Sequence, residues 1–350
     1  MTLDELDTPF LTVELDAVER NIHVMQRYCD DHAIGLRPHV KTHKLPAIAE
    51  LQLAAGAVGL TCQTLGEAAL MVEHRCGDDI LVTFPLIGIH KAERFARLAT
   101  EVHMAVGADS AAVARGLSKA LEAHGVSAGF LVDCDTGFGR TGVQSPQTAA
   151  ELAQLVAKLP GLEFRGLMTH PTRVESGPWL REARRLIEAQ GLEVSCVSGG
   201  GTPAALTSHL VGGITELRVG TYVYRDRRTS SGSLPDCALR VRSTVVSTPN
   251  RGRAILDAGS KTLTNDLGLT CHGATFGAIV EYEDAVVYQL SEEHGHVDVS
   301  RCDTPPQVGE VVTIIPNHAC GTVNLHSEVA LHRQGRGVRV VAVAGRGLMR

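Results

Sequence analysis

A lysine between two histidines is the first group in this sequence that could carry out chemistry. Lys41 lies between His39 and His43 in the stretch RPHVKTHK, residues 37–44. A proline in this stretch disfavours a helix before the lysine, and from Leu45 onward apolar residues recur with helical spacing. We therefore predict that Lys41 lies where a strand ends. It is either a surface lysine in a polar turn or an amine that forms a Schiff base with a carbonyl compound.

A histidine and a cysteine two positions apart form a second reactive group. His318 and Cys320 lie in PNHACGTVNLH, residues 316–326. On an extended segment they would project to the same side, and an imidazole with a thiolate is a suitable half-site for zinc. Two ligands are too few for a structural zinc, so substrate or water would complete the shell, as in a catalytic site. The alternative is a buried cysteine beside a histidine in a turn.

Two glycine-containing loops could position further polar groups. Residues 198–203, SGGGTP, could direct backbone N–H groups at an anion before a helix begins, and Gly220 and Thr221 could add two donors. The stretch has neither the GK[ST] of a P-loop nor the GxGxxG spacing of a dinucleotide-binding turn, and the alternative is a flexible turn. Arg140, in the loop GFGRTG, either points inward or is solvated. His170 is either structural or catalytic.

Composition limits the class of function. The 350 residues are 44% hydrophobic and 21% charged, which is typical of a soluble globular enzyme. The net charge of −6 without a basic run argues against nucleic-acid binding. The acidic start lacks the apolar core of a signal peptide, and no apolar run is long enough to span a membrane. Nine cysteines without a CxxC pair favour free thiols. We therefore expect a cytoplasmic protein without nucleic-acid or membrane partners.

Eight short apolar segments end in polar or glycine-containing turns, and each turn is followed by an amphipathic stretch. This alternation predicts an α/β protein built on a (β/α)8 TIM-like barrel, with a doubly wound open sheet as the alternative. The predicted strands are 34–40, 58–63, 80–85, 102–107, 128–134, 163–170, 193–199 and 215–223.

After Asp226 the pattern changes to short alternating strands, which predicts a second, β-rich domain. The apolar strand 10–15 has no place among the eight, so we assign it to this domain. The predicted domains are therefore a barrel over 16–226 and a β-domain made of 1–15 plus 227–350, joined by a polar connector at 227–235. The other predicted strands of the β-domain are 239–247, 253–258, 276–281, 285–290, 296–300, 311–315 and 337–343.

Five of the candidate segments lie at strands of the predicted barrel, and in this fold chemistry occurs at the C-terminal ends of the strands. Lys41 lies at the end of the first strand, the Arg140 loop follows the fifth, and His170 ends the sixth. Residues 198–203 lie at the end of the seventh strand, and residues 218–222 lie at the eighth. Their shared end of the barrel favours one functional site over five unrelated turns.

Together these motifs resemble those of the D-threonine aldolase and D-serine dehydratase family, which shares the alanine-racemase-type barrel of fold-type III pyridoxal-phosphate enzymes. The resemblance rests on RPHVKTHK and PNHAC and extends over nearly the whole chain. It implies that Lys41 carries pyridoxal 5'-phosphate, that Arg140 contacts its phenolic oxygen, and that His170 stacks on its pyridine ring. These three are the expected catalytic residues. Further cofactor-binding residues implied by the resemblance are Ser198, Gly200, Gly201, Thr202, Arg218 (near the ring nitrogen), Gly220, Thr221 and Tyr222.

The resemblance also implies that His318 and Cys320 bind a divalent metal, zinc or manganese, and that the chain forms a homodimer. The implied reaction is cleavage of a β-hydroxy D-amino acid, such as D-threonine, to glycine and an aldehyde. The first alternative is dehydration of D-serine or D-3-hydroxyaspartate, and the second is amino-acid racemisation. The HxC pair is typical of the dehydratases, whereas the TVNL that follows it is typical of the aldolases. A lone pyridoxal-phosphate-binding barrel without enzymatic activity would lack the β-domain.

Overall fold

The computed structural model describes residues 2–229 and 234–350. They form two compact units, and the predicted connector falls partly outside them, at residues 230–233. The β unit contains Met1–Ile22, Thr42–Lys44 and Thr221–Gly347, and the barrel unit contains His23–Lys41, Leu45–Gly220 and Leu348–Arg350. The domain boundaries at 16 and 226 stay predictions.

The first strand of the chain, β1 (Phe10–Glu14), belongs to the β unit and runs directly into helix α1 (Leu15–Asp31). In the described residues of the barrel unit, eight parallel strands follow one another in the order β2-β9-β8-β7-β6-β5-β4-β3. They are β2 (Gly35–Leu36), β3 (Leu60–Cys62), β4 (Asp79–Val82), β5 (His103–Ala108), β6 (Ala128–Cys134), β7 (Leu162–Thr169), β8 (Cys196–Gly200) and β9 (Glu216–Arg218).

The two strands at the ends of this order also meet, which closes the sheet into a barrel. The N–H of Val58 donates to the Leu36 carbonyl at 2.8 Å, and the N–H of Thr61 donates to the Pro38 carbonyl at 2.8 Å. The predicted eight-stranded barrel is therefore confirmed, and the open sheet is excluded.

A helix follows each strand from β2 to β7, as the alternating pattern predicts. Three of the helices begin with an N-cap residue whose side-chain hydroxyl accepts a hydrogen bond from a backbone N–H group. These residues are Thr64, Ser110 and Ser145. The helices are α2 (Pro46–Ala54), α3 (Leu65–Glu73), α4 (Ile89–Leu98), α5 (Ala111–His124), α6 (Pro146–Val156) and α7 (Ser176–Glu188); a 3₁₀ helix, Thr202–Val211, follows β8.

Small and apolar side chains fill the barrel interior. Leu81, Ala105, Leu131 and Met168 form a buried cluster. Gly107 lies beside it, and a Cβ atom at this position would overlap with Met168 Sδ, so that the methionine side chain would have to move. Strands covered on both faces are expected to be apolar along their whole length, and β6 is buried at every residue. This layer of the interior is thus a packed apolar core.

In the described residues of the β unit, a nine-stranded sheet contains the path β15-β16-β11-β10-β1-β18-β19, and β17 pairs with both β10 and β14. Strand β1 pairs antiparallel with β10 and parallel with β18, so the predicted place of the N-terminal strand is confirmed. The elements are β10 (Leu239–Asn250), β11 (Arg253–Leu256), α8 (Ser260–Leu263), β12 (Gly268–Thr270), β13 (Gly273–Thr275), β14 (Gly277–Ile279), β15 (Val286–Leu290), β16 (Gly295–Asp298), β17 (Val311–Pro316), α9 (Ala319–Leu325), β18 (Glu328–Arg333) and β19 (Arg336–Ala342).

Several predicted strands differ from those observed. Of the predicted strand 34–40 only β2 is regular strand, and of the predicted strand 215–223 only β9. In both places the chain then bends into a 3₁₀ turn. Single hydrogen bonds continue the pairing beyond the regular strands, such as His39 N–H to the Val219 carbonyl at 2.8 Å. Strands β12, β13 and β18 were not predicted. None of the helices in the described residues is long and apolar enough to cross a membrane.

Candidate active site

Lys41 lies in a short 3₁₀ turn after β2, at the C-terminal edge of the barrel sheet. Its Nζ is 3.2 Å from Oε1 of Gln63, the residue after β3, and its N–H donates to His39 Nδ1 at 3.4 Å. His39 Nε2 lies 3.3 Å from the same Gln63 oxygen and 3.4 Å from Thr83 Oγ1. Burial and the charge of Lys41 hold the pKa of His39 well below its ordinary value. The amine therefore lies beside a neutral imidazole.

His170 directly follows β7 and faces the loop after β6. Its ring packs edge-to-face with Phe138, with centroids 5.7 Å apart, and the Arg140 guanidinium carbon lies 5.5 Å from the Phe138 centroid. Burial, followed by the charges of Arg140, Arg218 and Lys41, lowers the pKa of His170 to about 3. The imidazole is therefore neutral near pH 7.

Asp135 organises the loop that carries Arg140. Its carboxylate accepts hydrogen bonds from the N–H groups of Gly137 at 2.9 Å, Phe138 at 2.8 Å and Gly139 at 3.1 Å. The bond from Gly139 is the first of the causes that lower the pKa of Asp135. The two glycines have φ of +108° and +74°, which side-chain-bearing residues rarely adopt. The loop is therefore fixed from within, while Arg140 itself is exposed.

A buried chain of polar groups holds Arg218 at the end of β9. Arg218 Nε donates to Ser198 Oγ at 2.7 Å, and its Nη2 donates to the Thr169 carbonyl at 2.8 Å. Ser198 in turn donates to Glu216 Oε1 at 2.6 Å, and Glu216 Oε2 accepts from Arg37 Nε at 2.7 Å. The Ser198 hydroxyl is thus occupied inside the barrel, and its expected contact with a cofactor stays a prediction.

The glycine turn after β8 is closely packed. Gly200 N–H donates to Thr172 Oγ1 at 2.6 Å, and its carbonyl accepts from Thr172 N–H at 2.7 Å. A Cβ atom at Gly200 would lie 3.3 Å from His170 Nδ1. Gly201 has φ of +110°, and the 3₁₀ helix Thr202–Val211 begins directly after it. A helix N-terminus in a turn without side chains is suited to an anionic group.

In the β unit, His318 and Cys320 meet, although not on an extended segment as predicted. His318 is the N-cap of α9 and Cys320 lies in its first turn. A hydrogen bond to Cys320 is the first cause that raises the pKa of His318 to about 9. Burial alone would raise the pKa of Cys320, but hydrogen bonds from His318, Thr42 and Thr221 outweigh it and lower the pKa. The pair therefore favours the thiolate, which is the form that binds metals.

Two residues of the stretch 37–44 bind the segment that carries Cys320. Thr42 Oγ1 lies 3.2 Å from Cys320 Sγ, and Lys44 Nζ donates to Asn324 Oδ1 at 2.9 Å. Thr42 and Lys44 both belong to the β unit, and within that unit they contact the segment PNHACGTVN through their side chains.

The remaining predicted residues, Gly220, Thr221 and Tyr222, follow β9. Thr221 Oγ1 lies 3.6 Å from Cys320 Sγ, and Tyr222 is buried in the same 3₁₀ turn. Within the part of the chain that the structure describes, no three His, Cys, Asp or Glu side chains are arranged to hold a metal ion. The protein therefore offers the His318–Cys320 pair rather than a closed set of ligands.

Known families and proteins match almost the whole chain. The alanine racemase N-terminal domain matches residues 13–228, and a putative serine dehydratase domain matches residues 238–332. D-threonine aldolase from Arthrobacter sp. is 33% identical over 368 residues, which cover 99% of this chain and 95% of that protein. The chain belongs to the D-threonine aldolase and D-serine dehydratase family. D-threo-3-hydroxyaspartate dehydratase from Delftia sp. is 31% identical and covers 92% of this chain, matched over 93% of its own length.

Solved structures of this family share the fold. D-threonine aldolase from Filomicrobium marinum superposes with a TM-score of 0.91 at 30% identity, over 100% of this chain and 98% of that one. Two mutants of D-threo-3-hydroxyaspartate dehydratase superpose with TM-scores of 0.87 and 0.86, both at 27% identity. Each superposition covers 98% of this chain, and they cover 96% and 98% of the respective mutant chains. One mutant replaces a histidine by alanine. The other, in the metal-free form, replaces a cysteine two positions further on by alanine.

Three residues that contact predicted site residues were not evident from the sequence. Gln63 beside Lys41, Glu216 beneath Arg218 and Asp266 beside His318 were all missed. Gln63 had a usable signal, because it directly follows a predicted strand, the position from which the other candidates were chosen. The two carboxylates had none, because nothing in their local sequence separates them from surface acids.

Proposed function

We propose that this chain is a pyridoxal-phosphate- and metal-dependent lyase that cleaves β-hydroxy D-amino acids, such as D-threonine, to glycine and an aldehyde. The match to D-threonine aldolase over almost the whole chain carries this proposal. Dehydration of D-serine or D-3-hydroxyaspartate is the second candidate. It is favoured by the HxC spacing, because the mutated histidine and cysteine of the related dehydratase are also two positions apart.

The donors of the barrel unit fit pyridoxal phosphate. Lys41 supplies an amine, His170 a neutral ring, and the turn at Gly201 a helix N-terminus for the phosphate. Arg218 can only donate hydrogen bonds, so a pyridine nitrogen that faced it would accept a bond and stay unprotonated. When bound, the cofactor would supply an electron sink for the charge that develops at the substrate Cα.

The residues around Lys41 would prepare its amine for this role. Gln63 Oε1, 3.2 Å from Nζ, restrains the amine, and Gln63 is shared with the neutral His39. His170 would contribute a flat, uncharged ring near neutral pH, because the pKa of its imidazole is about 3. Of these four side chains, Lys41 would therefore be the one that forms a covalent bond.

The imidazole and the thiolate of the β unit fit a divalent metal, zinc or manganese, and of the two the thiolate favours zinc. His318 and Cys320 would hold it. The surroundings of Cys320 favour the thiolate, and Nδ1 of His318 is engaged by Asp266, which leaves Nε2 for the metal. The metal would supply a Lewis acid for the substrate β-hydroxyl. The metal-free form of a related dehydratase with its cysteine replaced supports this assignment.

Product analysis tests the proposal. The purified protein, supplied with pyridoxal phosphate and zinc or manganese, is incubated with D-threonine, D-serine and D-threo-3-hydroxyaspartate, with L-threonine as control. Glycine and an aldehyde from D-threonine are expected, whereas a keto acid with ammonia would identify the dehydratase. Chelation, or His318→Ala, should lower turnover about a thousandfold, because a Lewis acid is worth several kcal/mol of transition-state stabilisation.

Two results would contradict the proposal. Full activity in the presence of the chelator would exclude the metal-dependent lyase, and formation of the L-amino acid alone would identify a racemase. We further propose that the enzyme acts as a homodimer, which analytical ultracentrifugation of the purified protein tests by its sedimenting mass. Location in the cytoplasm stays a prediction.

A further inference from the structure

A carboxylate in the β unit contacts the imidazole of the proposed metal pair. Asp266 Oδ2 lies 3.0 Å from His318 Nδ1. With Nδ1 engaged in this way, Nε2 is the ring nitrogen left for a metal ion. Metal-binding histidines commonly donate their second ring N–H to a carboxylate, which fixes both the tautomer and the orientation of the ring.

The Asp266 carboxylate is held on several sides. Thr264 Oγ1 donates to Oδ2 at 2.9 Å, and Arg228 Nη1 lies 3.1 Å from Oδ1. The backbone carbonyl of Asp266 accepts from Asn317 Nδ2 at 2.9 Å, and Asn317 directly precedes His318. The segment that carries the carboxylate is therefore tied to the segment that carries the imidazole.

The backbone on both sides also accommodates this contact. Thr264 has φ of +69°, a conformation that β-branched residues adopt only when their surroundings enforce it. On the opposite side, a Cβ atom at Gly321 would lie 2.9 Å from Thr264 Cγ2 and 3.5 Å from Asp266 Oδ2. The close approach of α9 to residues 264–266 thus depends on a glycine directly after Cys320 and on a strained threonine.

We propose that Asp266 is a positioning residue for the metal, an inference that rests on the proposed metal role of His318 and Cys320. By accepting the Nδ1 proton of His318, it fixes the orientation of the ring, so that Nε2 is the nitrogen directed for coordination when the metal displaces its proton. Without this acceptor the ring is free to rotate, and the proton can occupy Nε2 in competition with the metal. Asp266 acts through His318 and does not itself contact the ion.

Zinc affinity tests this role independently of catalysis. The metal is removed from the full-length, cofactor-loaded protein, and zinc binding is measured by competition with a chromophoric chelator at one pH. Asp266→Ala should weaken zinc binding about 10- to 100-fold, the usual effect of removing such a partner. Asp266→Asn should weaken it less, because its amide oxygen can still accept from Nδ1.

A second carboxylate–histidine pair in the same unit provides the matched control. Asp284 Oδ1 lies 3.1 Å from His272 Nε2, in a pair that does not include His318. Asp284→Ala should leave zinc affinity unchanged. Cobalt(II) substitution adds a spectroscopic readout, since in Asp266→Ala the thiolate-to-cobalt absorption should persist while the visible bands change as the imidazole loses its orientation.

The outcomes separate this inference from the proposed function. Zinc affinity within threefold of wild type in Asp266→Ala overturns the positioning role, as does an equal loss in Asp284→Ala. If Asp266→Ala does not fold, Asp266→Leu decides, because leucine has a similar size but no hydrogen-bond acceptor; wild-type affinity and an unchanged cobalt spectrum in that variant would count against the role. Failure of the wild-type protein to bind zinc or cobalt would overturn the proposed metal role itself.

Discussion

Replacing Glu216 tests whether the buried polar chain of the barrel contributes to its stability. Glu216 accepts from Arg37 Nε at 2.7 Å and from Ser198 Oγ at 2.6 Å, and the side chains of Arg37 and Glu216 are only 6% and 10% exposed. In Glu216→Gln the charge is lost, and an amide N–H₂ group must face either the arginine, which is a donor, or the serine. We predict a large decrease in the free energy of unfolding.

The size of the effect follows from what remains. Removing one member of a buried ion pair costs about 3–5 kcal/mol. Arg37 keeps a second partner, Asp79, whose two carboxylate oxygens lie 2.9 and 3.1 Å from its terminal nitrogens. We therefore expect the lower end, about 3 kcal/mol, or roughly a hundredfold in the folding equilibrium. Ser198→Ala should cost about 1–3 kcal/mol, and the double mutant less than the sum, because the two residues share a bond.

Urea unfolding followed by tryptophan fluorescence measures this change. Trp179, the single tryptophan of the chain, lies in α7 of the barrel unit and so reports on the unit that contains Glu216. Glu188→Gln is the control, because Glu188 pairs with Arg184 on the same helix at 2.7 Å but with both side chains more than 40% exposed. It should cost about 0.5 kcal/mol or less. A loss below about 1 kcal/mol in Glu216→Gln would refute the reasoning, since the buried pair would then behave as a surface pair.

Three further predictions concern the cofactor region. The pKa of His170 is about 3 in the folded protein against an ordinary 6.5, so its contribution is complete above pH 6.5 and is lost as the pH falls towards 3. Between pH 7 and 5, wild type should lose about 1–2 kcal/mol more unfolding free energy than His170→Gln, measured by urea unfolding; equal losses would contradict the assigned pKa. Gly201→Ala should weaken pyridoxal-phosphate binding at least tenfold in a fluorescence titration, whereas Gly213→Ala, which also has positive φ but no neighbour within 4 Å, should not; equal affinities would exclude a cradle at Gly201. Lys41→Ala should abolish borohydride-stable cofactor labelling, and a label on Lys44 instead would reassign the amine.

The sequence alone determined the alternation of eight βα segments and the location of the candidate residues. This connectivity places every βα loop at the same end of a parallel sheet, whereas the choice of a closed barrel over an open sheet was decided by the hydrogen bonds between the strands at its two ends. The positions of Lys41, Arg140 and His170 therefore followed from counting strands. The strand 10–15 was also assigned correctly, because it did not fit the alternation, and it pairs within the β unit as β1.

Local pattern was less reliable where tertiary contacts shape the backbone. Cys320 lies in a helix and not on the extended segment predicted for it, yet it still meets His318, because the histidine at the N-cap faces the first turn. Strand β18 was missed, although its register with β1 is regular. Its residues are apolar in the middle and polar at both ends, and pairing with the neighbouring strands β1 and β19 makes them a strand.

Only the tertiary structure decided which polar groups act together and in which protonation state. Asp266 is 52 residues from His318, and Glu216 is 179 residues from Arg37. Hydropathy patterns reveal which side chains are buried because burial repeats with the period of the element. A hydrogen-bond partner has no such period, since it is set by how distant segments pack. The same packing sets the desolvation and the neighbouring charges that shift the pKa values of His39, His170 and Cys320.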